Sequence, residues 1–189
     1  IMSETYYKGD KGDEVSDYSL NFKLGDTTNV KSTSVFFYEA TLKRAVSAST
    51  TDAMFRSLSY KGDTTPSAAA EDFYNADDDT IKIGTSIMSE TYYKGDKGDE
   101  VSDYSLNFKL GDTSIVKSTS VFFYDADLDR AMSASTTDAM FRSLSYKGDH
   151  KPAAADTEFY SALGDILVET DIMSETYYKG DKGDEVSDY

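Results

Sequence analysis

The sequence predicts a mainly β fold, built as tandem small β-sandwich-like modules of about 85 residues with room for one short helix in each. Three observations carry this reading. The segment IMSETYYKGDKGDEVSDY begins at Ile1, Ile87 and Ile172, and the spacings of 86 and 85 residues exceed solenoid periods but suit an independently folding domain. Apolar and polar residues alternate with period two in several stretches, which places one face of a strand in a core. Eleven of the twelve glycines precede aspartate, eight of them in Lys-Gly-Asp. Glycine there supplies the positive φ of a tight turn, and the aspartate bonds nearby amides.

Each element follows from the copies. Tyr18, Leu20, Phe22 and Leu24 alternate with Ser19, Asn21 and Lys23, the pattern of a strand with one buried face. Residues 1–63 and 87–149 differ at six positions only: Thr28/Ser114, Asn29/Ile115, Glu39/Asp125, Thr41/Asp127, Lys43/Asp129 and Val46/Met132. Positions 39, 41 and 43 change while Ala40, Leu42 and Arg44 do not, so change follows period two and predicts a strand through Phe36, Tyr38, Ala40 and Leu42. Residues 52–60 fit either state: Thr51 and Asp52 suit a helix cap, whereas Met54, Leu58 and Tyr60 suit a strand. Ile81 and Ile83, matched by Ile166 and Val168, predict one more strand. The Pro- and Ala-rich stretches after Asp63 and Asp149 read as connections. Residues 1–65 are then a partial module, 66–151 a complete one and 152–189 the start of a third, with both ends of the chain falling inside modules of a longer array.

Hydrophobic content of 39% across 189 residues is enough to bury a core. A formal charge of −16 repels phosphates and anionic lipid, which argues against nucleic-acid partners, and no run of about 18 apolar residues argues for membrane insertion. Cysteine is absent, which removes disulfides and thiolate chemistry.

Candidate sites concentrate in the KGDKGDEVSD segment. Asp96, Asp99, Glu100 and Asp103, repeated as Asp10, Asp13, Glu14 and Asp17, are the candidate ligands of a weak calcium site, because hard cations want six to eight oxygens and glycine turns let carboxylates gather. A solvated turn is the preferred reading, so no cofactor is expected. Asp125, Asp127 and Asp129 open like an EF-hand loop, but Arg130 stands where glycine belongs and Thr136 where the bidentate glutamate belongs. Asp77, Asp78 and Asp79 have no acidic counterpart near Leu163 and read as exposed charge. Lys-Gly-Asp resembles the integrin-binding tripeptide of disintegrins, a match that every copy also makes as a plain turn. The two triplets resemble collagen but lack proline and continuation.

The single histidine, His150, faces Thr64 in the other copy, so no Ser-His-Asp set repeats with the module, and the chain is expected not to be an enzyme. Of the fifteen tyrosines most suit strand surfaces, while Tyr92 and Tyr93 with Lys94 and Asp96 form the candidate partner contact. The expected function is a structural tandem-repeat protein that presents identical faces as a surface fibre, sheath or adhesin stalk, placed outside the cell or on its surface. The organisation resembles microbial surface proteins with extender repeats. The alternative is an intracellular or organellar linker or scaffold whose repeats each dock on one subunit of a periodic assembly. Partners are then further copies of the chain or subunits of that assembly.

Overall fold

The computed structural model describes residues 2–66, 73–75, 78–135, 137–152, 159–161, 164–167 and 170–188. Every regular element in it is a strand: β1 Ser3–Lys8, β2 Val15–Lys23, β3 Asp26–Tyr38, β4 Met54–Lys61, β5 Ile87–Lys94, β6 Val101–Lys109, β7 Asp112–Tyr124, β8 Met140–Lys147, β9 Ile172–Lys179 and β10 Val186–Ser187. The strands are hydrogen-bonded in chain order without a crossover. The chain divides into two compact units, one of Ile1–Glu90, Asp96–Gly98 and Phe108–Ile115, the other of Thr91–Gly95, Asp99–Asn107 and Val116–Tyr189.

In the first unit β2 pairs with β1 and β3, and β3 pairs with β4, all antiparallel. Register sorts the side chains by face. Val35 lies opposite Tyr18 and Leu58, and Thr33 opposite Leu20 and Tyr60, so these residues share one face, whose Thr33, Val35, Leu58 and Tyr60 are fully buried. Ser19, Asn21, Ser32, Ser34, Ser57 and Ser59 line the other. On that second face Thr5 and Ser19 share a hydrogen bond of 2.7 Å between hydroxyls, and Asn21 donates to Ser32 at 3.2 Å. A row of small hydroxyls on one face and apolar groups on the other is what period-two alternation dictates.

No facing second sheet covers the apolar side among the described residues, unlike the expected sandwich. Connections cover it instead. Phe73 packs edge-on against Phe37 at 5.6 Å and Tyr74 against the same ring at 4.9 Å, while Leu42 and Ala45 of the β3–β4 connection are also buried. Both rings are buried in doing so, Phe73 at 1% and Tyr74 at 6% exposure.

The second unit repeats this plan. Val121, Phe123, Leu128, Leu144, Tyr146, Phe159 and Tyr160 form its core, with β8 paired to β7 and β9.

Three local expectations change. The strand expected through Leu42 stops at Tyr38, because Glu39 and Leu42 turn into the left-handed region at φ 56° and 55°; Lys43 then comes back to bridge Tyr38. The same break recurs at Asp125 and Leu128. Leu24 is 81% exposed in the β2–β3 turn rather than on the buried face, since Gly25 opens that hairpin with φ 81°. Ile81 and Ile166 make single bridges to Tyr74 and Tyr160 rather than a strand, and Val168 lies outside the described residues. Of residues 52–60, open in the sequence, all from Met54 onward belong to β4. The Ala-rich stretches 67–72 and 153–158 also lie outside the described residues, as do Thr136, Asp77 and Leu163.

Candidate functional site

The acidic segment begins as a tight hairpin after a Tyr-Tyr-Lys strand end. A β-carbon on Gly95 would stand 2.5 Å from the Asp99 carbonyl oxygen, and one on Gly180 would stand 2.6 Å from that of Asp184, so only glycine allows the chain to fold back there. In the last copy the Asp184 amide donates to the Asp181 carbonyl at 2.9 Å and closes the turn. Glu185 then binds backbone: its carboxylate accepts the Gly183 amide at 2.8 Å and the Met140 amide at 3.1 Å. Burial pushes its pKa up, but these backbone bonds, with Lys182 beside it, leave it below the usual carboxylate range. Glu14 likewise accepts the Gly12 amide at 3.0 Å.

Asp17 and Asp103 leave the acidic group altogether. In β1–β2 pairing Tyr6 faces Tyr18 and Tyr7 faces Ser16, so Asp17 is the extra residue of a β-bulge, and the bulge turns it inward. There Arg44 donates to it twice, from Nε at 3.0 Å and Nη2 at 2.6 Å, with the aspartate side chain 7% and the arginine 2% exposed. The Arg44 guanidinium also lies 5.0 Å from the Phe73 ring centre. Arg130 holds Asp103 in the same way at 3.0 and 2.5 Å, under Phe159 at 5.6 Å. Of the calcium candidates, Asp103 and Asp17 are thus bound to buried arginines, while Asp96, Asp99, Glu100, Asp10, Asp13 and Glu14 lie in the turns. Among the described residues no group of three or more carboxylates or histidines is close enough to hold a metal ion.

The candidate contact residues separate by face. Tyr92 stacks on Tyr104 with ring centres 4.3 Å apart and planes 14° from parallel. Tyr93 is its neighbour in a strand, where successive side chains alternate between faces. Lys94 ends β5, half-buried, and Asp96 is exposed in the turn. The equivalent of Tyr93 in the last copy, Tyr178, shares a hydrogen bond with the Ser143 hydroxyl at 3.2 Å and borders a groove of about 780 Å³ with Asp125, Asp138, Met140, Lys179 and Lys182.

The geometry also assembles a group that no sequence motif announced. Where β9 joins β8, Glu175 accepts from Arg142 at 3.2 Å, from the Tyr160 hydroxyl at 2.8 Å and from the Tyr177 hydroxyl at 2.9 Å. The Arg142 guanidinium lies 4.6 Å from the Tyr177 ring and 5.4 Å from that of Tyr160. In the first unit Glu90, 5% exposed, accepts from Arg56 at 3.4 Å and from Tyr74 at 2.8 Å. The signal was present in the sequence: Arg56 and Arg142, Glu90 and Glu175, Tyr74 and Tyr160 are matched residues, the last pair inside otherwise divergent tails. His150 packs its ring 5.2 Å from Tyr146 and sets Nε2 3.6 Å from Asp171. Comparison with protein-family models, curated proteins and solved structures gives no match.

Proposed function

We propose that the chain is a non-enzymatic structural repeat protein whose β modules, each of about 85 residues, join strand to strand and present the same faces at regular intervals, as in a surface fibre, sheath or adhesin stalk. One observation carries the reading: the same Arg-Glu-Tyr junction closes both units, each time on the first strand of a new copy of the repeat. A junction that recurs with the period adds length without needing a new interface for each module. The hydroxyl-lined face, with its cross-strand bonds, supports a surface held for repetition rather than for a single ligand.

The test uses chains of two, four and six repeats. Small-angle scattering should give a maximum dimension that grows by a constant increment per added repeat, and surface protease treatment of intact cells should degrade the native protein. A dimension that stays level as repeats are added would sink the array reading. Protection from protease, with retention by an intracellular assembly, would favour the scaffold.

A further inference from the structure

We propose that Tyr92 and Tyr104 form an oxidative modification site, at which peroxide acting through a haem peroxidase joins the two rings into a dityrosine that staples β5 to β6. Their ring centres lie 4.3 Å apart with planes 14° from parallel, and both residues belong to the second unit. The same pair in the preceding copy, Tyr6 and Tyr18, stacks at 4.4 Å and 10°, and there the two residues are directly opposed in the antiparallel ladder. Tyr104 also packs against the core of its unit, which fixes one ring of the pair. Tyr92 and Tyr104 are half-buried rather than sealed in, so electrons and protons can leave them.

Composition decides where an oxidising equivalent settles. Tryptophan, cysteine and tyrosine give up single electrons most readily, and the chain has fifteen tyrosines with no tryptophan and no cysteine. A phenol loses its proton with its electron, so a carboxylate on the hydroxyl eases the step. In the third copy the Tyr177 hydroxyl donates to Glu175 at 2.9 Å, and Glu90 is the residue matching Glu175 in the copy that carries Tyr92.

The unpaired electron of a phenoxyl radical spreads over the ring and its carbons ortho to the oxygen, so two radicals held face to face couple without a search. Each ring loses one electron and one proton. A carbon-carbon bond then forms between one ortho carbon of each ring, and the hydrogens on those carbons move to the oxygens and restore two phenols. The peroxide takes up both electrons and both protons, its oxygen-oxygen bond breaks, and it leaves as two waters. The link closes the Lys-Gly-Asp hairpin, restrains the unfolded chain as a disulfide would, and is not opened by reductants. It needs only one folded repeat and stands whether or not repeats join into an array.

The β5 and β6 peptides have the same sequences as those of β1 and β2, so phenylalanine can mark the copies by mass. Phenylalanine also stacks as tyrosine does but forms no phenoxyl radical. The full chain with Tyr6→Phe, Tyr18→Phe and Tyr177→Phe keeps Tyr92 and Tyr104 as the stacked pair that can react. Treated in dilute solution with hydrogen peroxide and a haem peroxidase, it should stay monomeric on a denaturing gel, gain dityrosine fluorescence, melt at a higher temperature and yield on digestion a peptide pair linked through Tyr92 and Tyr104. Adding either Tyr92→Phe or Tyr104→Phe should lower the fluorescence at least about tenfold with an unchanged circular-dichroism spectrum, because unstacked tyrosines lack the proximity advantage. Tyr93→Phe, beside the pair, should leave the yield as it was. A yield indifferent to both Tyr92→Phe and Tyr104→Phe, linkage through Tyr93 or Tyr178 in place of Tyr92, links formed only between chains, or no dityrosine at all would each overturn the proposal.

Discussion

The strand-bearing stretch and the tail that follows it have been held to different standards. Residues 1–63 and 87–149 differ at six positions, whereas the tails differ at most of theirs. Yet the tails do the same work. Phe159 meets Phe123 at 5.9 Å and 66° where Phe73 meets Phe37 at 5.6 Å and 67°; Tyr160 meets Phe123 at 4.8 Å and 84° where Tyr74 meets Phe37 at 4.9 Å and 82°. Beyond the rings the means vary. One tail turns through Asn75, which donates from its side chain to Thr80 at 2.6 Å, with Asp79 at φ 54°. The other is one residue shorter and turns on Gly164 at φ 81°. At the tail's start Thr64 and His150 each donate a backbone amide to a buried threonine hydroxyl at 3.0 Å, so side-chain identity is irrelevant to that bond. A cover needs a few anchors, whereas a sheet with both faces specified and a charge pair beneath it has few free positions.

The largest expected effect tests the stretch that does not vary. Asp103→Ala leaves Arg130 buried without a carboxylate and should cost about 3–5 kcal/mol in denaturant unfolding. Asp96→Ala, exposed in the turn a few residues earlier, should stay within about 0.5 kcal/mol. Similar losses from the two would mean that the buried pair is not what restrains this segment.

Phe159→Ala asks whether the tail's anchors matter as much as its divergence suggests. Loss of a buried ring that touches Phe123, Tyr146 and Arg130 should cost about 3–4 kcal/mol, against almost nothing for Leu167→Ala, which is 56% exposed. A mild Phe159→Ala would make the tail dispensable and the comparison empty.

Much of this was legible in advance. The eleven glycines before aspartate all adopt positive φ, as the turn reading requires, and Gly84, the one outside the pattern, is absent from that group. Leu20 in β2 is 8% exposed and its neighbour Asn21 is not buried, as the alternation there requires. What escaped was set by tertiary geometry. Asp17 reads as one more acidic turn residue, and only the bulge opposite Tyr6 and Tyr7 sends it into the core. The period-two trace that predicts a strand through Ala40 and Leu42 has another source: Leu42 and Arg44 are buried from a left-handed turn, while Ala40 is exposed. The cover of the sheet was equally hidden: a Phe-Tyr pair in a drifting tail carries no periodicity.

A smaller effect should appear at high pH. Burial raises the pKa of Tyr146 to about 12, and it also raises those of Tyr60, Tyr124 and Tyr160, the last reinforced by Glu175. The folded state then holds protons that the unfolded state releases, so stability is full below pH 10, the ordinary value, and falls as pH rises towards 12. With solvent screening, Tyr146 alone contributes about 1–2 kcal/mol to that loss. Tyrosinate absorbance should show these rings ionising only as the chain unfolds; free titration near pH 10 in the folded protein would contradict the burial described here.

The smallest effect tests the differences between copies themselves. Lys43 Nζ lies 2.8 Å from Asp52 Oδ2 in the first unit, a contact that raises the lysine pKa and lowers that of the aspartate. The second unit has Asp129 at the matching position and Asp138 in place of Asp52, so an attractive pair becomes two like charges on the same turn. Lys43 keeps 38% of its side chain in contact with solvent, so water and salt screen the charge at this position as they would not in a core. Asp129→Lys should therefore raise the melting temperature slightly, and far less than Asp103→Ala lowers it. The gain should shrink in about 0.5 M salt, where the screening length falls to about 4 Å. It should also fade as pH drops below the carboxylate range, because a lowered pKa stabilises only where the acid is ionised. A gain undiminished by salt and acid would come from packing, and position 129 would then belong with the constrained sites rather than the free ones.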